Sequence, residues 1–158
     1  MTTTDSQSLW SGYVDAHAAL VRARMALVSQ SPDLVDTLRH GLHEPAERAA
    51  ALDVARLLPE DRRKQLLPEL LALASFAHGL TEESIAVMRS LPRSWVVSVI
   101  EAFAEPLLRT DDHEAYRGLL RVYGEFDVEL ARRLALRAQH HPDPDVREAG
   151  ADWLERAR

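Results

Sequence analysis

The chain predicts an all-α fold, a right-handed α-solenoid of about four helical hairpins preceded by an N-terminal helix. Three observations carry this expectation. Apolar side chains recur at three- and four-residue spacing through most of the chain, the period of a helix with one covered face. Proline, glycine and short polar side chains cut that pattern into helix-length segments. The segments then repeat at about 33 residues, the span of one two-helix unit.

The first 8 residues are polar and form a flexible start, and an amphipathic helix follows over 9–30. Its stripe is Leu9, Trp10, Tyr13, Val14, Leu20, Val21, Leu27 and Val28, with Asp15, Arg22 and Arg24 off it. Ser31, Pro32 and Asp33 open a second helix: a side-chain oxygen for open amides, a proline where no amide is needed, and an acid at the positive dipole end. It ends near Leu42, where Gly41, His40 and His43 suit a C-terminus, and Glu44 and Pro45 open a third helix that Pro59 stops.

The same rhythm gives helices over 60–77, 81–91, 93–108, 111–125, 127–140 and 144–157, nine in all. Gly79 and Pro92 are breaks, and Pro68 and Pro106, inside two of these segments, kink them or shift their starts. The β-branched run from Trp95 to Ile100 continues into Glu101, Ala102 and Phe103, which favours a buried helix over a strand. Gly118 and Gly150, inside helices, mark close helix approach.

Sliding the chain by about 33 residues puts Val54, Arg56, Leu58 and Pro59 on Val87, Arg89, Leu91 and Pro92. Three such steps put Arg48, Ala50 and Asp53 on Arg147, Ala149 and Asp152. Hairpins of this period cannot cover their own apolar faces and stack on their neighbours. Pro144, Asp145, Val146, Arg147, Ala149 and Leu154 resemble the second-helix signature of HEAT repeats. Arg48 keeps the arginine in the first repeat, whereas Thr81 and Glu114 replace it in the middle two, so the likeness extends over residues 31–157. The resemblance implies a short superhelix whose second helices line an inner face that grips other macromolecules, usually proteins. Armadillo, tetratricopeptide and non-repeat helical bundles stay open as alternatives.

Composition sets limits on function. The 158 residues are enough to bury about two thirds of the chain's surface in one domain. With no cysteine there is no disulfide scaffold and no thiolate metal site. A net charge of −6 argues against phosphate neutralisation as the main task, and no apolar run is long enough to span a membrane. These features suit a cytoplasmic protein, and no motif asks for a cofactor.

Each candidate site competes with a structural role. His40 and His43 with His140, His141 or Asp143 would offer metal ligands, but all stand at helix ends, where capping explains them. Asp111, Asp112, His113 and Glu114 combine acid and imidazole groups in the first turn of a helix, a capping position. Glu101 and Glu105 are like charges one turn apart on a very apolar helix. Facing a cavity, one of them would carry a raised pKa and serve as a general acid. The basic runs Arg62, Arg63, Lys64 and Arg132, Arg133, Arg137 lack the aromatic companions of a single-strand platform. Trp10 and Trp153, near opposite ends, suit shielding of the outermost apolar layers.

The function expected is a noncatalytic protein-binding module or adaptor. Its partner-binding strip on the second helices comprises Arg48, Arg89, Arg117, Arg121, Glu148 and Asp152, running from basic to acidic. An immunity or antitoxin-type inhibitor is a narrower version. The rival is a small enzyme or accessory subunit using Glu101, Glu105 and His113 as proton carriers.

Overall fold

A computed structural model of the chain describes residues 5–76, 79–110 and 112–157. Among them are ten helices and no strand. In chain order they are α1 (Ser6–Gln30), α2 (Leu34–His43), α3 (Arg48–Ala55), α4 (Glu60–Lys64), α5 (Leu67–Ser75), α6 (Thr81–Arg89), α7 (Arg93–Leu108), α8 (His113–Phe126), α9 (Val128–Ala138) and α10 (Pro144–Arg156). The all-α expectation holds. Ten helices stand in place of nine because the segment over 60–77 divides at Pro68, which occupies the first turn of α5, where its missing amide costs nothing. Ala77 and Asp111 lie outside the described residues. Pro106 sits inside α7 near its end, and the apolar run from Trp95 is helical as expected, with Val96 and Ile100 buried.

Pairing follows chain order. α2 packs on α3, α5 on α6, α7 on α8 and α9 on α10. Between pairs, α2 meets α5 and α5 meets α7, while α3 meets α6 and α8 meets α10. Ion pairs join the elements in the same sense, α7 to α9 through Glu101–Arg133 and Glu105–Arg137, and α6 to α8 through Glu82–Arg121. α8 is the hub, touching α5, α7, α9 and α10 and burying Ala115, Tyr116, Leu119, Leu120, Val122, Tyr123 and Phe126.

Two glycines set the spacing. A Cβ on Gly118 would collide with the Ser75 carbonyl at the end of α5, and one on Gly150 would lie 2.6 Å from the Ala135 carbonyl oxygen and 2.8 Å from the Ala138 Cβ. Only a hydrogen fits at either place. Gly79 adopts φ 82°, a left-handed conformation that breaks the chain before α6. Gly41, by contrast, lies within α2, which runs on to His43.

Aspartates open the later helices. Asp112 accepts from Glu114 N at 2.9 Å and Asp143 from Asp145 N at 2.8 Å. Asp127 alone joins α8 to α9: its amide donates to Tyr123 O at 2.8 Å, and its carboxylate accepts from Glu129 N and Leu130 N at 2.8 and 3.0 Å. Arginines close two of the hairpin turns in the same way. Arg48 donates to Leu42 O at 3.1 Å and His43 O at 3.2 Å, and Arg147 donates to His141 O at 2.8 Å and Pro142 O at 2.6 Å. Three steps of the sequence slide superpose these two arginines, and each reaches back five and six residues.

The N-terminal helix departs from expectation. Trp10 was expected to shield an outer apolar layer, yet no residue of α1 is buried and Trp10 is 60% exposed. Only its last turns dock, through Leu27, Val28 and the Arg24–Asp53 ion pair. The accessible surface, 9503 Å², accordingly exceeds the roughly 8,000 Å² of a compact chain this size.

Candidate functional site

The outward stripe of α8 carries Arg117, Arg121 and Glu125, one turn apart, because the intervening positions Leu119, Leu120, Val122 and Tyr123 turn into the core. α6 lies on one side of this stripe and α10 on the other. Arg117 reaches Glu148 at 3.4 Å and Asp152 at 3.8 Å on α10, Asp152 also receives Arg156 at 3.5 Å, and Arg121 pairs with Glu82 on α6. Arg89 of α6 pairs with Glu125.

Two cavities flank the arginines. One, of about 330 Å³, lies between the end of α5, the start of α6 and α8, with Ala74, Phe76 and Thr81 in its wall. The other, of about 450 Å³, lies between α8 and α10 over Leu120, Ala149 and Trp153. Arg117 and Arg121 border both. The site is thus a pair of largely apolar depressions divided by two half-exposed guanidinium groups.

Five of the six residues expected on the partner strip, Arg89, Arg117, Arg121, Glu148 and Asp152, share this face. They do not run from basic to acidic, since each arginine is matched by a carboxylate on the next helix. Arg48 stands apart, its guanidinium occupied by the α2 carbonyls. Glu82, Glu125 and Arg156 complete the face and were not picked out from the sequence. Glu82 and Glu125 answer arginines 39 and 36 residues away, a signal that has meaning only with the helix packing in hand, whereas Arg156 pairs with Asp152 one turn before it. Trp153, expected as a cap on the last layer, packs half-buried against the core and also walls the larger cavity.

The proton carriers of the enzyme reading do not assemble. Glu101 is bound bidentately by Arg133 at 3.1 and 3.3 Å, and Glu105 by Arg137 at 2.6 and 3.1 Å. The Arg137 hydrogen bonds hold the Glu105 carboxyl below the usual glutamate range, opposite to the raised value a general acid requires. His113 opens α8 and does not line the small cavity between Glu101, Glu105, Tyr123 and Arg137. Burial, reinforced by these two glutamates, pushes the Tyr123 phenol far up.

The basic runs are also engaged. Arg63 donates to Leu58 O at 2.6 Å and to Ser90 O at 3.0 Å; Lys64 pairs with Glu60 at 2.6 Å and lies over the Trp95 ring at 5.1 Å. Arg132 pairs with Glu129 at 3.8 Å. His140 contacts Leu136 O through Nδ1 at 3.0 Å, and His141 Nδ1 accepts from Asp143 N at 3.1 Å, in keeping with end-of-helix roles. Among the described residues no three histidine or acidic side chains gather as a metal site.

No family model, curated protein or solved structure matches the chain. Among the described residues no helix is long and apolar enough to cross a membrane. The α6–α8–α10 face thus presents apolar recesses beside arginines whose carboxylate partners are partly exposed.

Proposed function

We propose that the chain is a noncatalytic protein-binding module, a short HEAT-like stack that receives a segment of a partner protein across α6, α8 and α10. The observation that carries this reading is the pair of cavities sharing Arg117 and Arg121 as their common rim. A partner segment with apolar side chains would enter both recesses, and its carboxylates would take the place of Glu82 and Glu148 on the two guanidinium groups. The exchange is inexpensive, because exposed ion pairs of this kind contribute roughly 0.2–1 kcal/mol. The charges then chiefly set orientation and association rate, and the recesses supply the buried area.

The test is affinity capture from the native host with wild-type protein and with the double variant Arg117→Glu, Arg121→Glu. The reading expects a protein retained at stoichiometric amounts by wild type and lost from the variant, with unchanged helical circular dichroism. Equal retention by both would reject this face, and no retained protein would move the assignment toward the enzyme class.

A further inference from the structure

We propose that the N-terminal helix is a self-association arm, pairing antiparallel with α1 of a second copy of this chain. α1 is 25 residues long, about 37 Å, and its own body covers only the last turns. Upstream the same arc is bare, with Leu9 62% exposed, Trp10 60% and Tyr13 62%, followed by Val14, Leu20 and Val21. Soluble chains seldom leave this much aliphatic and aromatic surface in one stripe without a partner.

The pattern within the stripe specifies a helix as that partner. Leu9, Tyr13, Ala16, Leu20, Ala23 and Leu27 alternate steps of four and three, the seam of a two-helix coiled coil. Trp10 and Tyr13 stack at 5.6 Å, and Tyr13 and His17 at 6.4 Å, along the flank of this seam. A second copy fits without adding any new chemistry. Upstream of Arg24 the arc carries no aspartate, glutamate, lysine or arginine, so a two-fold pairing brings no fixed like charges together; Asp15 and Arg22 lie on the opposite face. The bulk is uneven, with Leu9, Trp10 and Tyr13 early and Ala16 and Leu20 later. An antiparallel pair crossing near Asp15 sets the aromatic half of one arm against the smaller half of the other and opposes the helix dipoles. A parallel pair would set tryptophan on tryptophan and bring both N-termini together. Leu9, Trp10, Tyr13 and Leu20, each 47–62% exposed, supply large side chains toward the ~800 Å² per partner of a stable interface. A membrane surface fits less well, because the polar face bears Asp15 beside Arg22 and no basic excess.

This inference does not rest on the partner-binding reading. It is tested on the full chain by sedimentation equilibrium across a concentration series at two salt concentrations. Wild type is expected as a dimer little affected by salt, Leu20→Glu and Tyr13→Asp as monomers with unchanged helicity, and Asp15→Arg as a dimer. The chain has no cysteine of its own, so single cysteines report the register. Oxidation should cross-link Ala16→Cys, the seam position beside the crossing, most readily, and Leu9→Cys and Ala23→Cys poorly. A monomeric wild type, a dimer that survives Leu20→Glu, or equal cross-linking at all three positions would each overturn the proposal. So would monomeric protein that co-sediments with phosphatidylcholine–phosphatidylglycerol vesicles.

Discussion

Replacing Gly118 by alanine tests how closely α5 and α8 are required to approach. A Cβ at this position would overlap the Ser75 carbonyl oxygen and stand 2.5 Å from its carbon and 2.6 Å from its Cα, against 3.4–4 Å in ordinary contact. The obstacle is backbone, which cannot rotate aside, so the helices must part by about 1 Å. That opening loosens the packing of Leu70, Leu71, Tyr116 and Leu119, all fully or almost fully buried. Overpacking of this kind costs ~1–3 kcal/mol, at the upper end where backbone must move. The gain in helix propensity returns at most about 1 kcal/mol. A net loss of about 2 kcal/mol corresponds to a fall of roughly 4–8 °C in Tm for a chain of this length. Thermal unfolding followed at 222 nm measures it. Gly12→Ala is the control, since nothing lies within 4 Å of its Cβ and only the propensity term acts. A Gly118→Ala protein as stable as wild type would refute the close approach.

Arg147→Ala and Arg48→Ala should each lower stability by roughly 1–2 kcal/mol in denaturant titration, because both leave turn carbonyls without a charged donor; no change in either would contradict the shared clamp. Glu105→Gln tests the depressed carboxyl. Its ion pair stabilises fully above the ordinary glutamate value of about 4.3 and the contribution is lost as pH falls through the lower folded value. The variant should therefore show a shallower acid loss of stability, with a difference at pH 7 of about 1 kcal/mol or less, as for an exposed pair. Tyr123 has the opposite sign: its raised folded value stabilises the chain fully below the ordinary phenol value near 10, and that contribution is lost as pH rises through the folded value. Tyr123→Phe should resist alkaline unfolding better than wild type, and identical alkaline curves would argue against deep burial of the phenol.

Local features were legible in the sequence where one residue has one mechanical consequence. Gly118 and Gly150 are close approaches, Pro68 is a helix start, and Asp112 and Asp143 are caps, all as their chemistry requires. The equivalence of Arg48 and Arg147 was visible as a register match, but their purpose was not; the slide suggested an outward strip, and the coordinates put Arg48 on its own turn. The ion pairs that organise the α6–α8–α10 face join residues on different hairpins, so their partners follow from stacking geometry that spacing alone does not supply. Glu101 and Glu105 invited a catalytic reading for the same reason, because the arginines that hold them lie 32 positions on. The bare stripe of α1 marks the converse case. Periodicity states that an apolar face requires cover, and leaves open whether the cover belongs to the same molecule.

The proposal that successive hairpins stack and leave the second-helix face open is tested most directly by a distance across the chain. With spin labels on exposed Thr37→Cys in α2 and Glu155→Cys in α10, diluted with unlabelled chain, pulsed dipolar spectroscopy reads the separation of the first and last hairpins. Three steps at the ~8–10 Å spacing of packed helices place the labels roughly 30 Å apart. A dominant distance below about 20 Å, which a closed bundle of the same helices would produce at that spacing, would contradict the open stack.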